Sequence, residues 1–178
     1  MALQELPWYD ALKLASPFPY VLAVTLDSNG KANIIGLGWW TIAGWDPPMC
    51  AISVGKARYS HKCLEDNPEY VLCFPSSEQS KGAWFCGKKS GKDHDKFAET
   101  KFEKLPSKIV KPPIIKGCVV AFECAVKCSV DAGDHTLFLA EIVAIHGDKD
   151  KVGHIYTIGY EKMLRFGADL KVEYDLPT

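Results

Sequence analysis

No apolar run in this chain approaches the roughly 20 residues that span a bilayer, so no membrane-crossing helix and no membrane partner is expected. The opening stretch MALQELPWYDALKL has early acids and no basic leading region. It does not read as a secretory signal, and the cytoplasm is the expected compartment. Net charge is almost absent as well. Lys and Arg number 21 against 22 Asp and Glu, which leaves −1. That is too little for a global field that would draw nucleic acid or an anionic membrane, although a local basic patch stays open. No pair of the seven cysteines has the C-x-x-C spacing, and their number is odd. A disulfide framework is not expected in such a compartment, nor is a zinc or iron–sulfur centre. Small buried hydrophobes are the expected role, with no metal. The hydrolase and P-loop motifs G-x-S-x-G, H-E-x-x-H and G-x-x-x-x-G-K-[ST] are all missing. There is no internal repeat, low-complexity tract or composition break. At 178 residues, 47% hydrophobic and 24% charged, the chain reads as a single globular domain over 1–178 with a real core.

What is present is a run of short β-prone segments. Residues 3–14 read as a short helix or irregular lead-in. Residues 19–27 and 31–35 read as two strands across Asp27-Ser28-Asn29-Gly30, where Asn-Gly tolerates positive φ. Residues 49–54 read as a strand buried on both faces. A helix is expected over 60–66 with Ser60 as its N-cap, a strand over 69–74, and a helix over 77–86 capped by Ser77. A third short helix starts at Asp93 or Asp95. The proline-rich stretch 104–116 reads as a loop. Residues 118–130 and 136–146 form the clearest hairpin, joined by residues 131–134. A last strand spans 154–158, and residues 160–178 form a tail of short amphipathic pieces. Six to eight mostly antiparallel strands with short inserted helices argue for a β-barrel with helical excursions.

The chain is organised around GLGWWTIAGWDPPMCAISVGKARYSH, residues 36–61. It offers flat aromatic surface at one end and a strand ending at Gly55, two cations and a helix start at the other. Free N–H groups and the dipole at a helix start favour an anion, and Arg58 and Ser60 can both bind phosphate oxygens. A plain capped helix beside solvated cations is the competing reading. Gly36, Gly38 and Gly44 surround Trp39 and Trp40, and glycine lets backbone approach a ring closely. Adjacent strand residues face opposite ways, so both tryptophans are core residues only if both faces are covered, and one is expected at a subunit interface. Among five histidines, His135 stands out at the tight end of the long hairpin. The cations of KKSGKDHDK either form a solvated loop or serve a cofactor phosphate.

Four blocks in order resemble one family: WWTIAGWDPPMCAISVGKARYSHK, CGKKSGKDHDKFAE, the Pro-Pro-Ile loop ending in AFEC, and GDHTLFLAEIVAIH. They are similar to the flavin reductase-like FMN-binding split-barrel proteins, most of all to the flavoredoxin group. The resemblance implies a mainly β split barrel, antiparallel and Greek-key-like, with a lead-in over 1–16 and an extension over 160–178. It implies a homodimer with FMN near the subunit interface. It also implies an FMN-dependent oxidoreductase taking hydride from NADH or NADPH, or a flavoredoxin-type carrier working with a redox protein partner. Carried onto this chain, the backbone of Trp39, Trp40 and Thr41 would contact the flavin ring, with Ser53, Val54 and Gly55 beside it. Arg58, Ser60 and His61 would hold the phosphate, and Ser90 and Lys96 match positions near the site. His135, in the GDH motif, would lie near the flavin and nicotinamide. Trp40 departs from the family pattern, where a smaller or more polar residue often stands. Two rivals predict no flavin: a non-enzymatic ligand-binding barrel, and a related pyridoxal-phosphate or haem-binding barrel. The GKARYSH, GDH and SGKDHDKF segments argue against the second.

Overall fold

The structure is a computed structural model and describes residues 3–151, 153–159, 161–166 and 172–175. The chain is mainly β and antiparallel. Helix α1 (Trp8–Leu14) leads into β1 (Phe18–Pro19), β2 (Val21–Leu26), β3 (Ala32–Leu37), β4 (Trp40–Gly44) and β5 (Met49–Gly55). Helix α2 (Tyr59–Asp66), β6 (Glu69–Phe74), a 3-10 turn (Ser77–Gln79), α3 (Ser80–Lys88) and α4 (Lys96–Thr100) follow. Then come β7 (Lys104–Leu105), β8 (Ile114–Ile115), β9 (Val120–Ala132), β10 (His135–Gly147), β11 (Ile155–Ile158), β12 (Lys162–Phe166) and β13 (Val172–Asp175).

Seven strands form one sheet in the order β3-β2-β6-β9-β10-β5-β4. Laid flat, seven strands spaced about 4.8 Å apart would hold the two edges about 29 Å apart. Yet the edge strands β3 and β4 are joined by Gly38 and Trp39 alone, which reach at most about 11 Å between Leu37 and Trp40. The sheet must therefore curl until its edges meet at that link, which is the geometry of a split barrel. A second sheet, β1-β11-β12-β13, lies beside it.

Strand alternation divides the core. Val21, Ala23, Ile52, Leu72 and Phe138 fill the inside of the rolled sheet. Leu22, Val24 and Val71 point outward, where Ala83, Cys86 and Phe97 of α3 and α4 cover them. Strand β2 is thus buried on both faces. Five cysteines are buried as small core side chains, Cys118 is half-buried and Cys128 is exposed.

Several boundaries differ from the sequence reading. Helix α2 begins one residue earlier, with Arg58 at its N-cap and no side-chain cap; Ser60 sits inside the helix. Its hydroxyl is drawn away by Asn33, whose Nδ2 donates to it at 2.7 Å. At the second helix the Gln79 side chain accepts from the Ser76 N–H, so the cap falls at Ser76 rather than Ser77. Asp95, not Asp93, caps α4, accepting from the Ala98 N–H at 3.2 Å. The expected loop 104–116 pairs at its ends as β7 and β8. Thirteen strands occur among the described residues, more than the six to eight expected, because several are two to five residues long. The tail expected over 160–178 falls partly on residues 160, 167–171 and 176–178, outside the described residues; a turn at Glu161 and strands β12 and β13 occupy the rest.

Candidate functional site

Register brings the site together. Strand β5 pairs with β10 so that Gly55 faces His135 and Ser53 faces Leu137. On its other side the Ser53 N–H donates to the Trp39 carbonyl at 2.9 Å. Residues far apart in sequence thus converge where the sheet edges meet. The rings of Trp39 and His135 lie 4.9 Å apart, tilted by 43°. His135 Nδ1 is 2.7 Å from Asp134 Oδ1. A carboxylate only accepts, so Nδ1 carries the hydrogen. The bond to His135 in turn holds the Asp134 carboxyl below its usual range. His135 Nε2 turns toward Gly55, 3.4 Å from where a Cβ would stand there.

These residues line a cavity of about 340 Å³, in the size range of small-ligand sites. Trp39, Ser53, Val54, Gly55, Arg58 and His135 all contribute to its wall. The opposite wall comes from α3, through Trp84, Gly87 and Lys88. Trp84 and Lys88 share a helix face at i, i+4 spacing, and the Lys88 ammonium lies 4.7 Å from the Trp84 ring centre.

That wall stands close because of glycine. A Cβ on Gly87 would come within 2.0 Å of the Tyr20 hydroxyl, and one on Gly36 within 2.2 Å. Tyr20 is buried and also lines the cavity. Burial pushes its phenol pKa up. A buried lysine ties the two walls. Lys96 Nζ donates to the Ile34 carbonyl on β3 at 2.6 Å and to the Cys86 carbonyl on α3 at 2.7 Å. Both acceptors precede cavity-lining residues. Burial, helped by the nearby Arg58 charge, brings the Lys96 pKa down to about 8.

The other expected residues lie apart from this wall. Trp40 and Thr41 line a shallower hollow with Leu137, which shares Phe18, Gly38, Trp39 and Ser53 with the cavity. Trp40 packs edge-on to Phe74 with ring centres 4.9 Å apart, and its Nε1 is buried without a hydrogen-bond partner. The Ser60 side chain is buried against Asn33. The His61 ring packs on Phe138, with Nε2 2.7 Å from Thr136 Oγ1. Ser90 is exposed, and its hydroxyl accepts from the Lys92 N–H. Sequence reading missed Tyr20, Trp84 and Thr157 as lining. The i, i+4 pairing of Trp84 with Lys88 was the signal available for α3.

The residues present fit a flat ring with an anionic tail. Trp39 and His135 give planar surface, the glycine edges at 36 and 38 give backbone access, and Arg58 and Lys88 give cations beside a helix start with no side-chain cap.

Known proteins bear on which ring this is. The family model described as flavin reductase like domain matches residues 14–162. An uncharacterized protein of Archaeoglobus fulgidus is 35% identical over 124 residues, 69% of this chain and 70% of its own. An NADH-dependent FAD reductase of Streptomyces globisporus is 27% identical over 153 residues, 85% of this chain and 82% of its own. Among solved structures, flavoredoxin from Methanosarcina acetivorans aligns with a TM-score of 0.72 at 25% identity, over 100% of this chain and 91% of that one.

Proposed function

The chain belongs to the flavin reductase-like domain family, and on that premise we propose that it binds FMN and reduces it with NADH or NADPH. The observation that carries this reading is the convergence of Trp39, Ser53, Gly55, Arg58 and His135 on one cavity. Bound flavin supplies reversible hydride and electron acceptance, while the protein supplies binding, orientation and electrostatics. Arg58 and Lys88 hold the phosphate through charge-assisted hydrogen bonds. Backbone groups at 38–41 and 53–55 read the polar edge of the ring. His135, fixed by Asp134, offers Nε2 to an incoming nicotinamide. Ser60, His61 and Lys96 brace the walls from behind.

The working form in this reading is a homodimer of single-domain chains with flavin at the shared face. Supporting it, Trp45 is 93% exposed and Ile42 53% exposed on and beside the edge strand β4, next to the hollow at Trp40 and Thr41. Neighbouring exposed apolar side chains at a sheet edge are the kind of surface that pairing with another chain covers.

The test is the visible spectrum of the purified protein before and after adding FMN, then anaerobic titration with NADH and NADPH. A bound-flavin spectrum bleached by a nicotinamide is the expected result. Flavin that stays oxidised with either nicotinamide would leave a carrier fed by another protein. A colourless protein that binds neither FMN nor FAD would overturn the proposal.

A further inference from the structure

Charge is distributed unevenly along this nearly neutral chain. Residues 81–116 hold ten lysines against four carboxylates, a balance of +6, so the remainder carries −7. Nine of those lysines are exposed; only Lys96 is buried. Of the carboxylates, only Glu103 forms an ion pair with one of these lysines. Asp95 caps α4 and pairs with Lys31 at 3.6 Å. Glu99 lies 3.0 Å from His94, and Glu103 pairs with Lys116 at 2.7 Å.

The fold turns this run into a surface. Helices α3 and α4 pack on the outer face of the barrel over β3. The α3 lysines, Lys81 and Lys88, are exposed, as are Lys89 and Lys92 after α3 and Lys101 after α4; the one lysine within α4, Lys96, is buried. Lys88 is exposed yet also lines the cavity, so the basic surface borders the cavity's rim. The helix dipole accounts for a cation at the end of α3. It does not account for Lys92, Lys101 or Lys104, which lie outside that helix.

The chemistry of the patch narrows its partner. It contains no arginine; the chain's two arginines are Arg58 and Arg165. Lysine is a compact, strongly hydrated charge suited to steering, whereas base and phosphate readout favours the arginine fork. The large apolar side chains exposed within 81–116 are Leu105 and Ile109, both outside the helices, whereas a membrane-surface helix would need several along one helical face. A hydrated, lysine-only surface beside a redox cavity suits a brief encounter with an acidic protein, in which long-range attraction raises the association rate.

We propose that the exposed lysines of α3 and of the segments flanking α4 form a docking surface for a small acidic electron-transfer protein that reduces the bound flavin. This rests on the flavin part of the preceding reading, not on nicotinamide use. Two reduced carriers would each lose one electron, and the flavin would gain both, with two protons taken from solvent.

The experiment uses the full chain with FMN added and flavin binding read by absorbance. Association with an oxidised acidic [2Fe–2S] protein is measured at low and at physiological salt, for the wild type and for the triple variant Lys89→Glu/Lys92→Glu/Lys101→Glu. Phosphatidylserine vesicles serve as the competing partner. Wild-type association should weaken about tenfold or more with salt, and the triple variant should lose it at low salt. Flavin affinity and reduction by dithionite should not change. Flavin reduction by the reduced carrier should slow in parallel with the lost association. A variant that associates like the wild type, or association indifferent to salt, would overturn the surface, as would binding to vesicles in place of the carrier. Association without flavin binding would uphold the surface and sink the flavin reading; flavin binding without association would do the reverse.

Discussion

Glu123 is fully buried, and its carboxylate is used four times over. It accepts from the N–H groups of Lys108 and Ile109 at 2.7 Å each and of Val110 at 3.0 Å. His146 Nε2 lies 2.6 Å away. These contacts pin the proline-rich loop to β9. Burial alone would raise the carboxyl's pKa, but the three backbone donors and His146 outweigh it and bring it from 4.5 down to about 2. At roughly 1.4 kcal/mol per pH unit, that corresponds to about 3 kcal/mol of stability at neutral pH. The unfolded chain takes up its proton near the ordinary value, before the folded chain does. The contribution is therefore complete above about pH 5.5 and is lost as pH falls from there toward 2. Glu123→Gln removes the charge and turns an amide N–H toward backbone donors. It should cost about 3 kcal/mol at pH 7, or roughly 6–12 °C in Tm for a chain of this size. Urea unfolding of both proteins at pH 6 and pH 3.5 measures the pH term, and the gap should narrow by about 1.4 kcal/mol. An equal gap at both pH values would show that the charge is not what holds the loop.

Three further outcomes follow from the site. Arg58→Ala should weaken FMN binding by about 1.5–3 kcal/mol, or roughly 10–150-fold; fluorescence titration returning wild-type affinity would remove Arg58 from the phosphate grip. His135→Ala should leave FMN affinity nearly intact and slow nicotinamide-dependent reduction by roughly tenfold or more, and loss of flavin with an unaltered fold would contradict that role. Gly87→Ala and Gly36→Ala should each cost about 1–3 kcal/mol through the clash with Tyr20. Tyr20→Phe should relieve most of the Gly87→Ala cost, because the next atoms, the Gly36 carbonyl oxygen and Tyr20 Cζ, are each 3.3 Å away. It should not relieve Gly36→Ala, where Cζ remains at 2.7 Å, and equal relief in thermal melts would refute the packing argument.

Local sequence determined a good deal of this protein. The turn at Asp27–Gly30, the long hairpin around Gly133, and the strands at 49–55 and 69–74 were legible because alternation and turn chemistry act over a few neighbouring residues. So was the segment that carries Trp39, Gly55 and Arg58. Capping was less legible: a hydroxyl near a helix start has several possible partners, and Ser60 went to Asn33, 27 residues earlier in the chain and just past the first hairpin turn. Tertiary structure alone decided the cavity. Only strand register sets His135 opposite Gly55. Only the curl of the sheet brings β3 to β4, and only packing of α3 over β3 makes Tyr20, Gly36 and Gly87 share one slot. No pattern of spacing encodes such contacts, because each depends on the path of the chain between its partners rather than on either partner's neighbours.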